Sequence, residues 1–322
     1  VGEAFRHMLS ARPGPASLEM GWDTMAETAE VEFPDPSPPD APPELDPDAI
    51  EAAAELIAAA RHPMIMVGGG AQGASAEVLA LAELLDAPVS ACRSGRGVVS
   101  ERHELGLSSL GALELWPTTD VVIGIGTRLE LPYMRWAGMM RYIERPVAPP
   151  TLIRIDIDER EMDRLVPHAG IVGDAAEAAA ALHAAVARKR RSRADDRERI
   201  AETKAVARRK AEEIQPQVAY LDAIRDVLPE DGFFVEELCQ AGFASYFAFP
   251  VLAPRTYVTA GFQGTLGFGF PSALGVKVGN PDKAVVSITG DGGFMFAVQE
   301  LATAARERLG VITIVFNNDA YG

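Results

Sequence analysis

The chain has 322 residues, 48% of them hydrophobic, and a formal net charge of −16 at pH 7, enough length for two domains with separate cores. The acidic balance argues against a nucleic acid partner, which needs a basic face, while no apolar run reaches membrane-spanning length and no secretory signal opens the chain. Cys92 and Cys239 stand far apart without metal-ligand spacing, so reduced thiols in a cytoplasmic protein are expected.

After residues 1–32, the stretch Phe33–Pro47 carries Pro34, Pro36, Pro38, Pro39, Pro42, Pro43 and Pro47. So many prolines exclude a helix or central strand and predict a stiff extended linker over 33–47. Residues 48–187 then alternate helical and apolar runs. The pattern predicts a helix over Ile50–Ala60, a strand over Met64–Val67, a helix over Ala74–Leu85, and strands over Val89–Ala91, Val121–Ile125 and Leu152–Ile157. That order is the mark of a doubly wound α/β domain.

Two motifs in this domain invite functional readings. Gly68-Gly69-Gly70-Ala71-Gln72-Gly73 follows a strand, precedes a helix and satisfies the dinucleotide fingerprint Gly-x-Gly-x-x-Gly. The next strand, however, ends in Val89-Ser90-Ala91-Cys92-Arg93 with no acid to hold a ribose hydroxyl, which argues against a NAD site. The alternative is that the glycines permit close packing of strand and helix. The second motif, Asp156-Ile157-Asp158 at a strand end, suggests a magnesium-dependent phosphohydrolase with an aspartyl nucleophile. Arg160 and Met295 stand where that chemistry wants a small or β-branched residue and a second carboxylate.

Residues 188–215 form a polar helical connector. Its Arg188-Lys189-Arg190-Arg191-Ser192-Arg193 run reads as a solvated face rather than a binding patch. In 216–322, the run Ala284–Thr289 predicts a buried strand that opens into Gly290-Asp291-Gly292-Gly293. A helix with apolar positions at Phe294, Val298, Leu301, Ala302, Ala305 and Leu309 is expected over 294–309, and a second buried strand over Val311–Phe316. Asp291 and Asn318 then fall at the carboxyl ends of two parallel strands, where open α/β sheets bind ligands. Gly292 and Gly293 would let the backbone approach an anion ahead of the helix. Asp291, the Asn318 side-chain oxygen and the Ala320 carbonyl are three oxygen ligands suited to Mg2+. The bland alternative is an Asp-Gly turn and a polar loop.

Gly290-Asp291-Gly292, with Asn317-Asn318 following the next strand, resembles the thiamin diphosphate signature of the acetolactate synthase and 2-oxo acid decarboxylase superfamily. Gly264-Thr265-Leu266-Gly267-Phe268-Gly269-Phe270-Pro271-Ser272-Ala273-Leu274-Gly275 is similar to that family's segment beside the thiazolium and aminopyrimidine rings. Arg12-Pro13-Gly14-Pro15 and Leu18-Glu19-Met20 look like the end of its N-terminal pyrimidine-binding domain. The resemblance implies two doubly wound parallel-sheet α/β domains, a middle domain over 48–187 and a diphosphate-binding domain over 216–322 that is incomplete at its C-terminal end, with 1–32 the tail of the pyrimidine-binding domain. It implies thiamin diphosphate and Mg2+ as cofactors, with contacts from Gly264, Thr265, Leu266, Gly290, Asp291, Gly292, Gly293, Phe294, Asn318, Ala320 and Tyr321, and the metal on Asp291, Asn318 and Ala320. Leu266 would wedge between the cofactor's rings, with an ordinary core role as its alternative.

The implied reaction is decarboxylation of a 2-oxo acid, with or without carboligation to a second carbonyl compound. No catalytic residue is assigned here, because the resemblance places the essential glutamate upstream of Val1, and a non-catalytic or regulatory homologue is the alternative. In the resembling enzymes the middle domain carries FAD, ADP or nothing; Gly68–Gly70, Arg93 and Gly106–Gly111 are the candidate nucleotide contacts. Cys239-Gln240-Ala241-Gly242 departs from the family's histidine-containing diphosphate element, which weakens a biosynthetic acetolactate synthase assignment. The expected partners are a small 2-oxo acid and further copies of the chain in a homodimer or homotetramer.

Overall fold

A computed structural model describes residues 1–33, 35, 38–136, 150–189, 196–261 and 263–320. Two parallel sheets organise them, ordered β3-β2-β1-β4-β5-β6 and β10-β9-β7-β8.

Ahead of the first sheet lie α1 (Gly2–Leu9) and the single turn α2 (Trp22–Met25). α3 (Pro47–Ala59) starts with proline at its first position, where no N–H is needed, and Asp46 caps it by accepting from the Asp48 N–H at 2.9 Å. β1 (Pro63–Val67) is buried along its whole length and is followed by α4 (Ser75–Leu85), β2 (Val89–Ala91) and the two-residue β3 (Gly106–Leu107). α5 (Ser109–Leu115) leads to β4 (Val121–Ile125), also buried throughout, then β5 (Thr151–Asp156), α6 (Arg160–Arg164), β6 (Ala169–Val172) and α7 (Ala175–Ala187). Strands covered on both faces explain the continuous apolar runs in their sequences. β1 pairs in parallel with both β2 and β4, so the chain order reverses beside β1 and opens a crevice past the strand ends.

α8 (Arg197–Glu212) crosses from one sheet to the other. Ile200, Thr203, Ala207 and Ala211 form its buried stripe at helical spacing. The second sheet takes α9 (Gln217–Val227), β7 (Phe233–Val235), α10 (Gln240–Ala248), β8 (Tyr257–Val258), α11 (Gly269–Gly279), β9 (Val285–Gly290), α12 (Asp291–Met295), α13 (Leu301–Arg306) and β10 (Ile312–Phe316).

Two expectations are corrected here. The single helix over 294–309 is three pieces, with the 3-10 turn Val298–Glu300 between α12 and α13; Ala297 leaves the helical region at φ −131°, ψ 12°. The strand expected to be buried, β10, is an edge strand with Ile312 64% exposed, because one flank and part of one face lie open.

Candidate functional site

Parallel pairing of β9 with β10 sets Phe316 opposite Gly290. The register therefore brings the residues after each strand, Asp291 and Asn317-Asn318, to one edge of the second sheet. The helix begins at Asp291 rather than after the glycines, with Gly290 as N-cap, so Gly292 and Gly293 lie in its first turn. Asp291 is half-buried and has no hydrogen-bond or ion-pair partner among the described residues. Across from it, Asn317 accepts from the Asp319 N–H at 2.9 Å and Asn318 from the Ala320 N–H at 3.3 Å, with Asp319 at φ +54° making the turn. A carboxylate, an amide oxygen and a main-chain carbonyl following neighbouring strands are hard-oxygen donors of the kind Mg2+ takes. Tyr321 lies outside the described residues.

The segment Gly264–Gly269 is anchored to this edge by a residue that sequence reasoning missed. Glu237, two positions past β7 and fully buried, accepts from the N–H groups of Gly267 and of Gly269 (3.1 Å), and from the Thr289 hydroxyl at 2.9 Å. One carboxylate thus ties the 264–269 turn to the end of β9. A Cβ built on Gly293 would stand 2.6 Å from Glu237 Oε1, and one on Gly269 would stand 2.9 Å from Oε2. Packing against Glu237 is thus by itself a reason for glycine at 293. The overlooked signal is an acidic pair, Glu236-Glu237, directly after the apolar run Phe233–Val235: a carboxylate at the binding end of a buried strand is rarely idle. Leu266 is 37% exposed, which removes the ordinary core reading. Gly264 (φ +56°) and Gly267 (φ +81°) make the turn around it with left-handed backbone.

Cys239 caps α10, its sulfur accepting from the Gly242 N–H at 3.3 Å. Burial pushes its thiol up to about 11, so it is a protonated cap and not a nucleophile at neutral pH. Gln240, at the first position of α10, accepts from Gln217 Nε2 at 2.8 Å.

The first sheet has a cavity of about 700 Å³ at its reversal point, lined by Gly68–Gly70, Arg93, Gly126–Leu131, Asp156, Gly173–Ala175 and, from the second sheet's domain, Arg255 and Gly261. A Cβ on Gly68 would lie 2.3 Å from the Gly126 carbonyl and one on Gly70 would lie 2.8 Å from Gly126 Cα, while a Cβ on Gly73 would meet nothing within 4 Å. Close packing thus accounts for the first two glycines of the fingerprint, Gly68 and Gly70, and not for the last, Gly73. Gly106 lies in β3 and packs on the Ser100 carbonyl, and Gly111 lies in α5 against Leu107; the cavity wall takes in neither. Asp156 and Asp158 belong to this sheet, away from Asp291 on the other. Asp158 is held by Arg160 at 2.9 Å, and that hydrogen bond keeps its carboxyl below the usual range. The structure therefore does not assemble the phosphohydrolase constellation.

Residues 50–182 match the thiamine pyrophosphate enzyme central domain, and residues 239–322 match the thiamine pyrophosphate enzyme C-terminal TPP binding domain. The chain belongs to the thiamine pyrophosphate enzymes. It is 34% identical over 282 residues to the probable 2-ketoarginine decarboxylase of Pseudomonas aeruginosa, covering 85% of this chain and 49% of the relative. To the probable acetolactate synthase large subunit of Methanocaldococcus jannaschii it is 34% identical over 345 residues, covering 99% and 57%. To the acetolactate synthase isozyme 1 large subunit of Escherichia coli K12 it is 29% identical, covering 100% and 58%. The chain thus spans about half the length of the curated relatives it matches. Among solved structures, an enzyme from Mycobacterium smegmatis described as thiamin diphosphate-dependent superposes with a TM-score of 0.73 at 23% identity, over 100% of this chain and 62% of that one, a likeness of fold.

Proposed function

We propose that the intact protein is a thiamin diphosphate- and Mg2+-dependent enzyme that decarboxylates a 2-oxo acid, with or without carboligation to a second carbonyl compound. The observation that supports this reading is the β9–β10 register, which brings the chain at Asp291 and at Asn318 to the same end of the second sheet. Asp291, Asn318 and the Ala320 carbonyl would hold the metal, and through it the diphosphate. Gly264, Thr265 and Leu266, fixed from below by Glu237, would face the rings. Bound thiamin diphosphate supplies the nucleophilic carbon and the electron sink for decarboxylation. The chain's own part is to orient it: Leu266 presents an apolar side chain from a turn that two left-handed glycines and a buried carboxylate hold in place.

The cavity at the reversal of the first sheet is part of the same proposal as a nucleotide site for an ADP or FAD moiety. Arg93, Arg128 and Arg255 offer donors to phosphates, while Asp156 and Asp174 offer acceptors to a ribose. No helix among the described residues is long and apolar enough to cross a membrane. Assembly into a homodimer or homotetramer, in the cytoplasm, would cover Met295, Phe296 and Leu301, which lie exposed beside the site.

The test is a panel of 2-oxo acids with the intact protein, with and without thiamin diphosphate and Mg2+, scoring aldehyde against hydroxyketone products. Turnover that ignores the cofactor would overturn the reading. Asp291→Ala should abolish cofactor retention in a gel-filtration assay, and wild-type retention would remove Asp291 from the metal site.

A further inference from the structure

Arg93 sits in the 3-10 turn after β2, on the wall of the first-sheet cavity. It also reaches across to the second domain. Its Nη1 donates to the Gly261 carbonyl, and its guanidinium carbon lies 4.6 Å from the centre of the Tyr246 ring. The Tyr246 hydroxyl donates to Glu236 Oε1 at 3.2 Å, the Thr259 hydroxyl donates to the same oxygen, and the Gly261 N–H donates to Thr259 Oγ1 at 3.3 Å. Glu236 is fully buried, and its second oxygen has no partner among the described residues. Burial raises its pKa against the opposing pull of Thr259, Tyr246 and Arg93. Arg93 is thus the cationic end of a polar cluster, built on the buried Glu236, that begins at the cavity and ends on Gly261.

Gly261 stands three residues before Gly264, at φ +70°. Glu237 fixes the far side of that turn at Gly267 and Gly269, and Arg93 fixes the near side from the other domain.

We propose that Arg93 is a positioning residue that couples the two sites, so that a nucleotide phosphate in the first-sheet cavity tightens the binding of thiamin diphosphate at the second sheet. The proposal rests on the nucleotide reading of the cavity given above. A guanidinium carries five N–H donors, so a phosphate is held without displacing the bond to Gly261. A ligand that fixes this long side chain removes the ordering that the second ligand would otherwise have to impose. The coupling is reciprocal by linkage.

Isothermal titration of the intact protein with thiamin diphosphate and Mg2+, in the absence and presence of saturating ADP, tests this directly. ADP is the probe because it carries adenosine and a diphosphate alone. The dissociation constant of thiamin diphosphate should fall at least about fivefold with ADP present, and that of ADP should fall by the same factor with thiamin diphosphate present. In Arg93→Met ADP should bind more weakly, since one of its phosphate donors is gone, and the factor measured at saturating ADP should drop to about one. Arg93→Lys keeps the charge without the planar fork and should give a reduced factor, which carries the test if the methionine variant does not fold. If neither ADP nor FAD binds the wild type, the nucleotide reading fails and the coupling fails with it. If both ligands bind the wild type independently, the coupling alone is overturned. An unchanged factor in either variant removes Arg93 from the link.

Discussion

Glu237 shows how much structural consequence one side chain carries. Its carboxylate is fully buried and serves three donors from two segments, the Gly267 and Gly269 N–H groups and the Thr289 hydroxyl. Removing it leaves three donors without an acceptor, two of them buried, and each buried orphan costs about 1–3 kcal/mol. Glu237→Ala should therefore destabilise the protein by about 3 kcal/mol or more in urea melts, and it should loosen thiamin diphosphate binding beyond the loss in stability, because the turn carrying Leu266 loses its anchor. Glu237→Gln keeps one acceptor oxygen but points an amide at donors, and should fall between wild type and alanine. Equal stability of Glu237→Ala and wild type would show that the hydrogen bonds add nothing net. Asp291 works the other way. Its lack of partners among the described residues leaves it available to a ligand, so its removal should spare stability and lose cofactor.

At the scale of elements, legibility followed burial. β1 and β4 were readable because a strand covered on both faces must be apolar throughout, and Pro63–Val67 and Val121–Ile125 are buried at every position. β10 has the same kind of sequence and a different environment: its apolar run marks it as a strand but cannot say that it forms the edge. The helix over 294–309 misled because part of its expected apolar face is uncovered, with Leu301 49% exposed and Ala302 and Ala305 exposed as well, and Gly292-Gly293 weakens the first turn. That Asp291 and Asn318 follow neighbouring parallel strands was legible from spacing, whereas the anchoring by Glu237 was not, since it acts on main-chain donors about thirty positions away. The connector was legible as polar and helical, but not its dock. Asp196 precedes α8, and its carboxylate faces His62 Nδ1 at 3.0 Å and Arg199 Nη2 at 2.7 Å. Burial works against its charge, yet the hydrogen bonds from Arg199 and His62 prevail and hold the carboxyl below its ordinary value of 3.8. Because the folded value is depressed, the contribution is present above the unfolded value and is lost as pH falls through the folded one. Asp196→Asn should lower stability by about 1–2 kcal/mol at pH 7, and the difference from wild type should shrink as the pH is taken below 3.8. A difference that stays constant in melts from pH 7 to pH 3 would show that charge plays no part in docking α8.

Across the whole molecule, the two sheets are joined by buried polar contacts as well as by α8, and Arg96 is central among them. It comes from the first sheet's domain, is 4% exposed, and pairs with Glu101 at 2.8 Å. It also donates to the carbonyls of Ser245 (2.7 Å) and Phe249 in and after α10, and lies 4.5 Å from the centre of the Tyr257 ring. Next to it, a Cβ on Gly97 (φ +88°) would lie 2.1 Å from the Ala253 carbonyl, so the two backbones meet directly at that point. Such a joint makes the domains unfold together, because opening either one strands a charge or a carbonyl of the other in a dry place. Arg96→Met fills much of the volume with no charge, leaving Glu101 and two carbonyls unpaired. The loss should be about 3–5 kcal/mol, the range for breaking one side of a buried pair. It should also be selective: calorimetry should show one cooperative transition in the wild type and two in Arg96→Met, the hydrophobic core of each sheet being large enough to melt by itself. The lower transition should respond to thiamin diphosphate and Mg2+ if it belongs to the second sheet, since a ligand raises only the stability of the unit that binds it. A single transition displaced to lower temperature would mean that α8 and the backbone contact at Gly97 hold the domains together without the arginine.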